Sequence, residues 1–171
     1  GRGGDSGGPI SITAKDSVSM TDTGFDTRGD SGGEITITAN SVLFDDSGAQ
    51  SRGFTNGASI NIDAVNLIEI LNDSRLGSQN IIGGGKSGDI RLNANSILIL
   101  GSEIFSGTYA RELEQGDSGN VKITARDNVL LSSGSRIFSE VGEDVKGSGG
   151  NIDITTDSLY LSENAELTSS T

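Results

Sequence analysis

Three strings in this 171-residue chain carry residue types that do chemistry. Residues 4–9 read GDSGGP, a setting in which a serine hydroxyl can attack a carbonyl while backbone N–H groups hold the oxyanion, so Ser6 is a candidate nucleophile. A neutral hydroxyl needs a base to take its proton. The chain has no His, and the residues three positions before Lys15, Lys86, Lys122 and Lys146 are Ile12, Gly83, Gly119 and Glu143, so no Ser-x-x-Lys pair exists either. The string also recurs, as GDSGG at 29–33 and GDSGN at 116–120, with the relatives GKSGD from Gly85 and GSGGN from Gly147. A nucleophile is needed once, whereas a turn in a tandem repeat returns in every unit. Ser6 therefore reads as a turn residue.

The second string, RGDS at 28–31, equals a tetrapeptide that integrins bind when it projects from a mobile loop. Here it falls on a copy of the repeat turn, and the copy at Gly116 carries Gln115 in place of the arginine, so it is expected to be part of that turn. The third candidate is a gathering of carboxylates at Asp22, Asp26, Asp30, Asp45 and Asp46, the oxygen ligands that hard cations prefer. Their spacing matches neither an EF-hand nor a Gly-Gly-x-Gly-x-Asp calcium roll. Solvated turn acids are expected, with calcium the one cofactor the pattern leaves open. Enzymes acting on polysaccharides need paired carboxylates and usually aromatic platforms for sugars. With no Trp and two Tyr, no catalytic face is visible, and a non-enzyme is expected. An ice-binding Thr-x-Thr ladder begins at Thr36 and Thr38 but is broken by Asn61 and Asp63, then by Arg91 and Asn93.

Charge narrows the partners. The formal net charge is −12, which opposes nucleic acid and anionic lipid, since both are held by clustered Lys and Arg. There is no Cys, so neither a disulfide framework nor a thiolate metal site is available. With 26 Gly and one Pro the composition leans toward disorder, and only periodicity can supply a core.

That periodicity is present. An apolar-x-apolar pair occurs six times, at Ile10/Ile12, Ile35/Ile37, Ile60/Ile62, Ile90/Leu92, Val121/Ile123 and Ile152/Ile154. Four residues after the first member stand Ala14, Ala39, Ala64, Ala94, Ala125 and Thr156, a column of small residues that implies a tight corner. A second pair follows at Val18/Met20, Val42/Phe44, Ile68/Ile70, Ile97/Ile99, Val129/Leu131 and Leu159/Leu161, usually behind Asn or Asp with Ser. A weaker third element is visible as RLGS from Arg75, EIFS from Glu103, RIFS from Arg136 and ELTS from Glu166. Alternation with period two, β-branched residues and Gly-rich punctuation argue strands throughout. One set of residue types per unit is what stacking each corner on its copy in the next turn requires.

The expected fold is all-β: a right-handed parallel β-helix, a solenoid of about six coils with three strands per coil. Handedness follows from the general preference of parallel crossovers. Residues 1–171 form one such segment, with coils starting near 4, 29, 54, 85, 116 and 147. Ile62 and Ile123 are predicted inside, Asn61 and Lys122 outside. Three longer steps insert residues at one corner, and their apolar members Ile82, Tyr109, Leu113, Val141 and Val145 form either a ridge for partner contact or a hydrophobic tuck over the third strand.

The repeat GDSGN-VKITARDNVLLSSGSRIFSE, echoed by GSGGN-IDITTDSLYLSENAELTSS, resembles the repeats of filamentous-haemagglutinin-type exoproteins of two-partner secretion systems, cyanobacterial large exoproteins above all. The resemblance implies a fibre that is secreted or held on the cell surface of a Gram-negative-type bacterium, exported through an outer-membrane transporter partner. Adhesion to surface glycans or proteins is the function it implies. Both ends cut through a repeat, so the segment is expected to belong to a longer array and, by itself, to associate end to end through uncovered strand edges.

Overall fold

A computed structural model describes residues 4–82, 84–109, 115–143 and 145–171. All regular structure among them is β. The first coil contributes β1 (Ile10–Thr13), β2 (Ser17–Thr21) and β3 (Gly24–Ser31). The four middle coils each contribute a long strand and a short one: β4 (Ile35–Asp45) with β5 (Gly48–Asn56), β6 (Ile60–Leu71) with β7 (Arg75–Asn80), β8 (Ile90–Leu100) with β9 (Glu103–Thr108), and β10 (Val121–Ser132) with β11 (Arg136–Val141). The last contributes β12 (Ile152–Thr155), β13 (Ser158–Leu161) and β14 (Glu166–Ser170).

Every pairing between strands is parallel. One sheet runs β1-β4-β6-β8-β10-β12 with β2 on β4 and β13 on β10; the other runs β3-β5-β7-β9-β11-β14. The chain is therefore a parallel β-helix of six rungs, about five turns from first to last. The alignment of apolar pairs reproduces the register: Ile35 lies beside Ile60, Ile60 beside Ile90, and Ile90 beside Val121.

The first corner differs in form from the expected break between strands. In the middle coils it is an irregularity inside one continuous strand, with register shifts between Ala39 and Ser41 and between Ala125 and Asn128. Ala39, Ala64, Ala94 and Ala125 are 3–7% exposed there, so the bend is made inside one strand, with a short slip in the pairing register. The third strand is also more regular than the sequence suggested. RGDS does not form a turn: Arg28 and Gly29 lie within β3 and pair with Arg52 and Gly53 of β5.

The core is a bundle of ladders. Ile35, Ile60, Ile90 and Val121 are fully buried, as are Ile68, Ile97 and Val129. Ile62 and Ile123 are inside at 1% and 0% exposure; Lys122 is exposed and Asn61 half-buried. On the third face Leu76, Ile104 and Ile137 complete the ring at 0%. Fully burying such a side chain contributes about 1.5–3 kcal/mol. In the last coil Leu159, Leu161 and Leu167 remain 43%, 48% and 37% exposed, because a rung at the end has a neighbour on one side only.

Candidate functional site

The recurring Gly-Ser turn does structural chemistry. On the third strand Thr27, Ser51, Ser78, Ser106, Ser139 and Ser169 stand in one register column. From Thr27 to Ser139 each hydroxyl is buried inside the coil and meets the turn leading into the next rung, while Ser169 on the last rung is exposed and reaches back to the turn before it. Gly33 N–H donates to Thr27 Oγ1 at 3.1 Å, Ala58 N–H to Ser51 Oγ at 3.0 Å, Gly88 N–H to Ser78 Oγ at 2.7 Å, Gly119 N–H to Ser106 Oγ at 2.9 Å and Gly150 N–H to Ser139 Oγ at 2.8 Å. The hydroxyls also donate: Ser106 to Gly88 O, Ser139 to Gly119 O and Ser169 to Gly150 O, at 2.7–2.9 Å. The column thus closes each coil onto the next and gives the buried N–H and C=O groups of those turns partners.

Glycine in the turn is required by close approach. A Cβ on Gly33 would lie 2.2 Å from Gly8 O, on Gly119 2.3 Å from Gly88 O and on Gly150 2.1 Å from Gly119 O. Successive turns stack backbone on backbone, so a side chain has nowhere to go. Ser118 of the GDSGN copy donates its hydroxyl to Glu140 O. Ser6 is exposed at the first rung, where Asp30 N–H donates to Asp5 O and Gly7 N–H to Ser31 O, each at 2.8 Å. Among the described residues no base stands against Ser6 Oγ.

The acidic gathering has a backbone origin. Asp22, Asp46, Asn72 and Asp73 occupy the turn after the second face with φ of 52°, 46°, 53° and 60°, the left-handed region that Asp and Asn tolerate best after Gly. Stacking the turns then stacks the acids. A hydrogen bond with Asp22, followed by partial desolvation and the neighbouring charges of Asp22, Asp73 and Asp45, holds the Asp46 carboxyl above its ordinary range. No group of three or more His, Cys, Asp or Glu side chains placed to hold a metal occurs among the described residues.

The five loop residues separate. Ile82 is 48% exposed and has Ile81, at 38%, beside it. Tyr109 is half-buried and donates its hydroxyl to Glu140 Oε1 at 2.7 Å; burial, with Glu140 next to it, pushes its phenol well up. Val141 is 6% exposed and pairs with Thr108 on the third face, so it stands in a strand and not on a ridge. Val145 is half-buried, its N–H donating to Gly142 O at 3.0 Å. Leu113 lies outside the described residues. Near Tyr109 the outer side of the third face carries Phe105 and Phe138, stacked at 5.1 Å with an interplanar angle of 8° and only 6–7% exposed. Arg136 lies 4.9 Å from the Phe138 ring. Phe54, 48% exposed beside Ile81 and Arg52, is an apolar member of the loop edge that the repeat alignment did not single out.

Two further surface features concern function. Charges on the outer third face form an axial ladder: Arg75 to Glu103 at 3.0 Å, Glu103 to Arg136 at 3.6 Å and Arg136 to Glu166 at 3.2 Å. Along the first corner an open groove of about 650 Å³ has the alanine column as its floor, with Asp63, Arg126 and Asp157 among its walls. No protein-family model matches this chain, and no curated protein or solved structure matches it either.

Proposed function

We propose that the chain is a structural, non-enzymatic segment of a secreted or cell-surface fibrous exoprotein that projects length and presents adhesive surface. The reading rests on one observation above all: the recurring Gly-Ser string is spent on closing coils, its Gly33, Gly88, Gly119 and Gly150 N–H groups donating at 2.7–3.1 Å to the inward hydroxyls of the third strand. The repeat's resemblance to filamentous-haemagglutinin-type exoproteins supports export through an outer-membrane transporter, and the surplus of acid favours glycans or proteins over nucleic acid as contacts. End-to-end association belongs to the same reading, through the half-covered apolar residues of the last coil.

Beads coated with the segment are expected to be retained under flow on some members of a panel of glycan- and protein-coated surfaces. Beads carrying the Ile62→Asp variant, whose coil cannot close around a buried charge, are expected to wash off. Retention on none of the surfaces, or equal retention of the variant, would contradict adhesion by the folded solenoid. The groove along the alanine corner favours a second reading, a carbohydrate-active β-helix, because Asp63, Asp157 and the Arg126 cation line one open cleft.

A further inference from the structure

The outward side of the second face carries a run of leucines, whereas the first is polar and the third combines charged residues with the covered Phe105–Phe138 stack. The register places Ser19, Leu43, Glu69, Leu98, Leu130 and Tyr160 in a single outward column, and Leu71 beside Leu100 in the next. These leucines are half-buried and Tyr160 is 58% exposed. The equivalent outward column of the first face is Ser11, Thr36, Asn61, Arg91, Lys122 and Asp153. The third face carries the Arg-Glu ladder. Strand alternation needs no leucine outside the coil, and a contiguous apolar face rimmed by polar residues marks a contact surface.

Glu69 sits in the middle of this face, between Leu43 and Leu98. Among the described residues it makes no ion pair or side-chain hydrogen bond, whereas the arginines and glutamates of the third face are paired with one another. An unpaired carboxylate among leucines, in a chain of net charge −12, fits an apolar occupant that brings a positive charge. From Leu43 to Tyr160 the column spans four strand steps, about 19 Å. A flat face of that length and about 10 Å width is far short of the roughly 800 Å² that each partner gives to a stable interface between globular proteins. Two copies would also bring two charges of −12 together. Adding a strand is possible only at the ends, because the inner strands are paired on both sides.

We propose that the second face docks a basic amphipathic helix of a protein partner, about 13 residues long at 1.5 Å per residue, with its apolar stripe on the leucines and a Lys or Arg set against Glu69. The docking is independent of whether the chain belongs to a surface fibre.

The probe is a fluorescent 14-residue peptide of Leu and Lys with leucines at helical spacing and one lysine inside the apolar stripe; a scrambled peptide of the same composition is the control. The helical peptide is expected to bind saturably and the scrambled one about tenfold more weakly or worse, the scale of losing buried apolar anchors. Leu98→Ser with Leu130→Ser should weaken binding by a similar factor, and Glu69→Gln should weaken it more at low than at high salt. Glu69→Gln is conservative and outward, so it reports even if the double serine variant fails to fold. Equal binding of both peptides, or unchanged binding by both variants, would overturn the proposal. Sedimentation showing a side-by-side dimer that Leu98→Ser abolishes would assign the face to a second copy and overturn it as well.

Discussion

Replacing Ser139 with Ala removes one hydroxyl from the coil-closing column and leaves the rest of the side chain in place. Ser139 is fully buried; its Oγ accepts from Gly150 N–H at 2.8 Å and donates to Gly119 O at 2.9 Å. The variant loses both bonds and strands a buried N–H, whose desolvation without a partner costs about 1–3 kcal/mol. Taking ~2 kcal/mol and a urea dependence of ~2 kcal/mol per molar, the unfolding midpoint should fall by about 1 M. Ser6→Ala is the control, because Ser6 is exposed and surface changes of this kind stay within about 0.5 kcal/mol. Far-ultraviolet circular dichroism followed through a urea titration reads both. If Ser139→Ala unfolds at the same urea concentration as Ser6→Ala, the column is a by-product of stacking and contributes no closure.

Gly119→Ala places a Cβ 2.3 Å from Gly88 O, and because backbone must yield, a loss of about 1–3 kcal/mol or more is expected in the same urea titration. Ile62→Asp, at a position 1% exposed, buries a carboxylate without a partner and should cost several kcal/mol, about enough to abolish cooperative unfolding. Asp46→Asn should raise thermal stability near neutral pH. The Asp46 carboxyl is held above its ordinary range by Asp22 and its neighbours, so in the parent its favourable contribution is present below the unfolded pKa and lost as pH rises through the folded one. The advantage of Asn is therefore expected to vanish on acidification through the carboxylate range, which melting curves at several pH values would read. Leu159→Lys with Leu161→Lys, both on the uncovered last rung, should reduce end-to-end association in sedimentation; unchanged association would place the contact elsewhere.

The core ladders were legible in the sequence because strand alternation projects directly onto residue type: Ile62 and Ile123 are inside as the pattern requires. The third strand of the first two coils was not. β3 reads GFDTRGDS and β5 reads GAQSRGFTN, and their inward members Phe25, Ala49, Thr27 and Ser51 mix one aromatic with small and polar residues, so the period-two signal disappears. The serine column escaped for the same reason: a buried hydroxyl bonded across a gap in sequence, as Ser78 to Gly88, looks like a surface serine until the coil is closed. The first corner was found from its alanines, but whether it breaks the strand depends on backbone hydrogen bonds that composition does not encode. Val141 was grouped with the loop residues because the insertion begins close to it, whereas β11 extends through it. The outer leucines went unnoticed because they sit between residues already assigned to the core, where Leu43 and Leu98 look like part of the same apolar run.

The central claim, that this chain is a scaffold and not a catalyst, is tested most directly by turnover. Incubating the segment with a panel of acidic and neutral polysaccharides, and assaying reducing ends and unsaturated products over time, is predicted to give no release above a blank. Release that is lost when Asp63 or Asp157 in the corner groove is replaced by Asn would contradict the account and make the groove an active site.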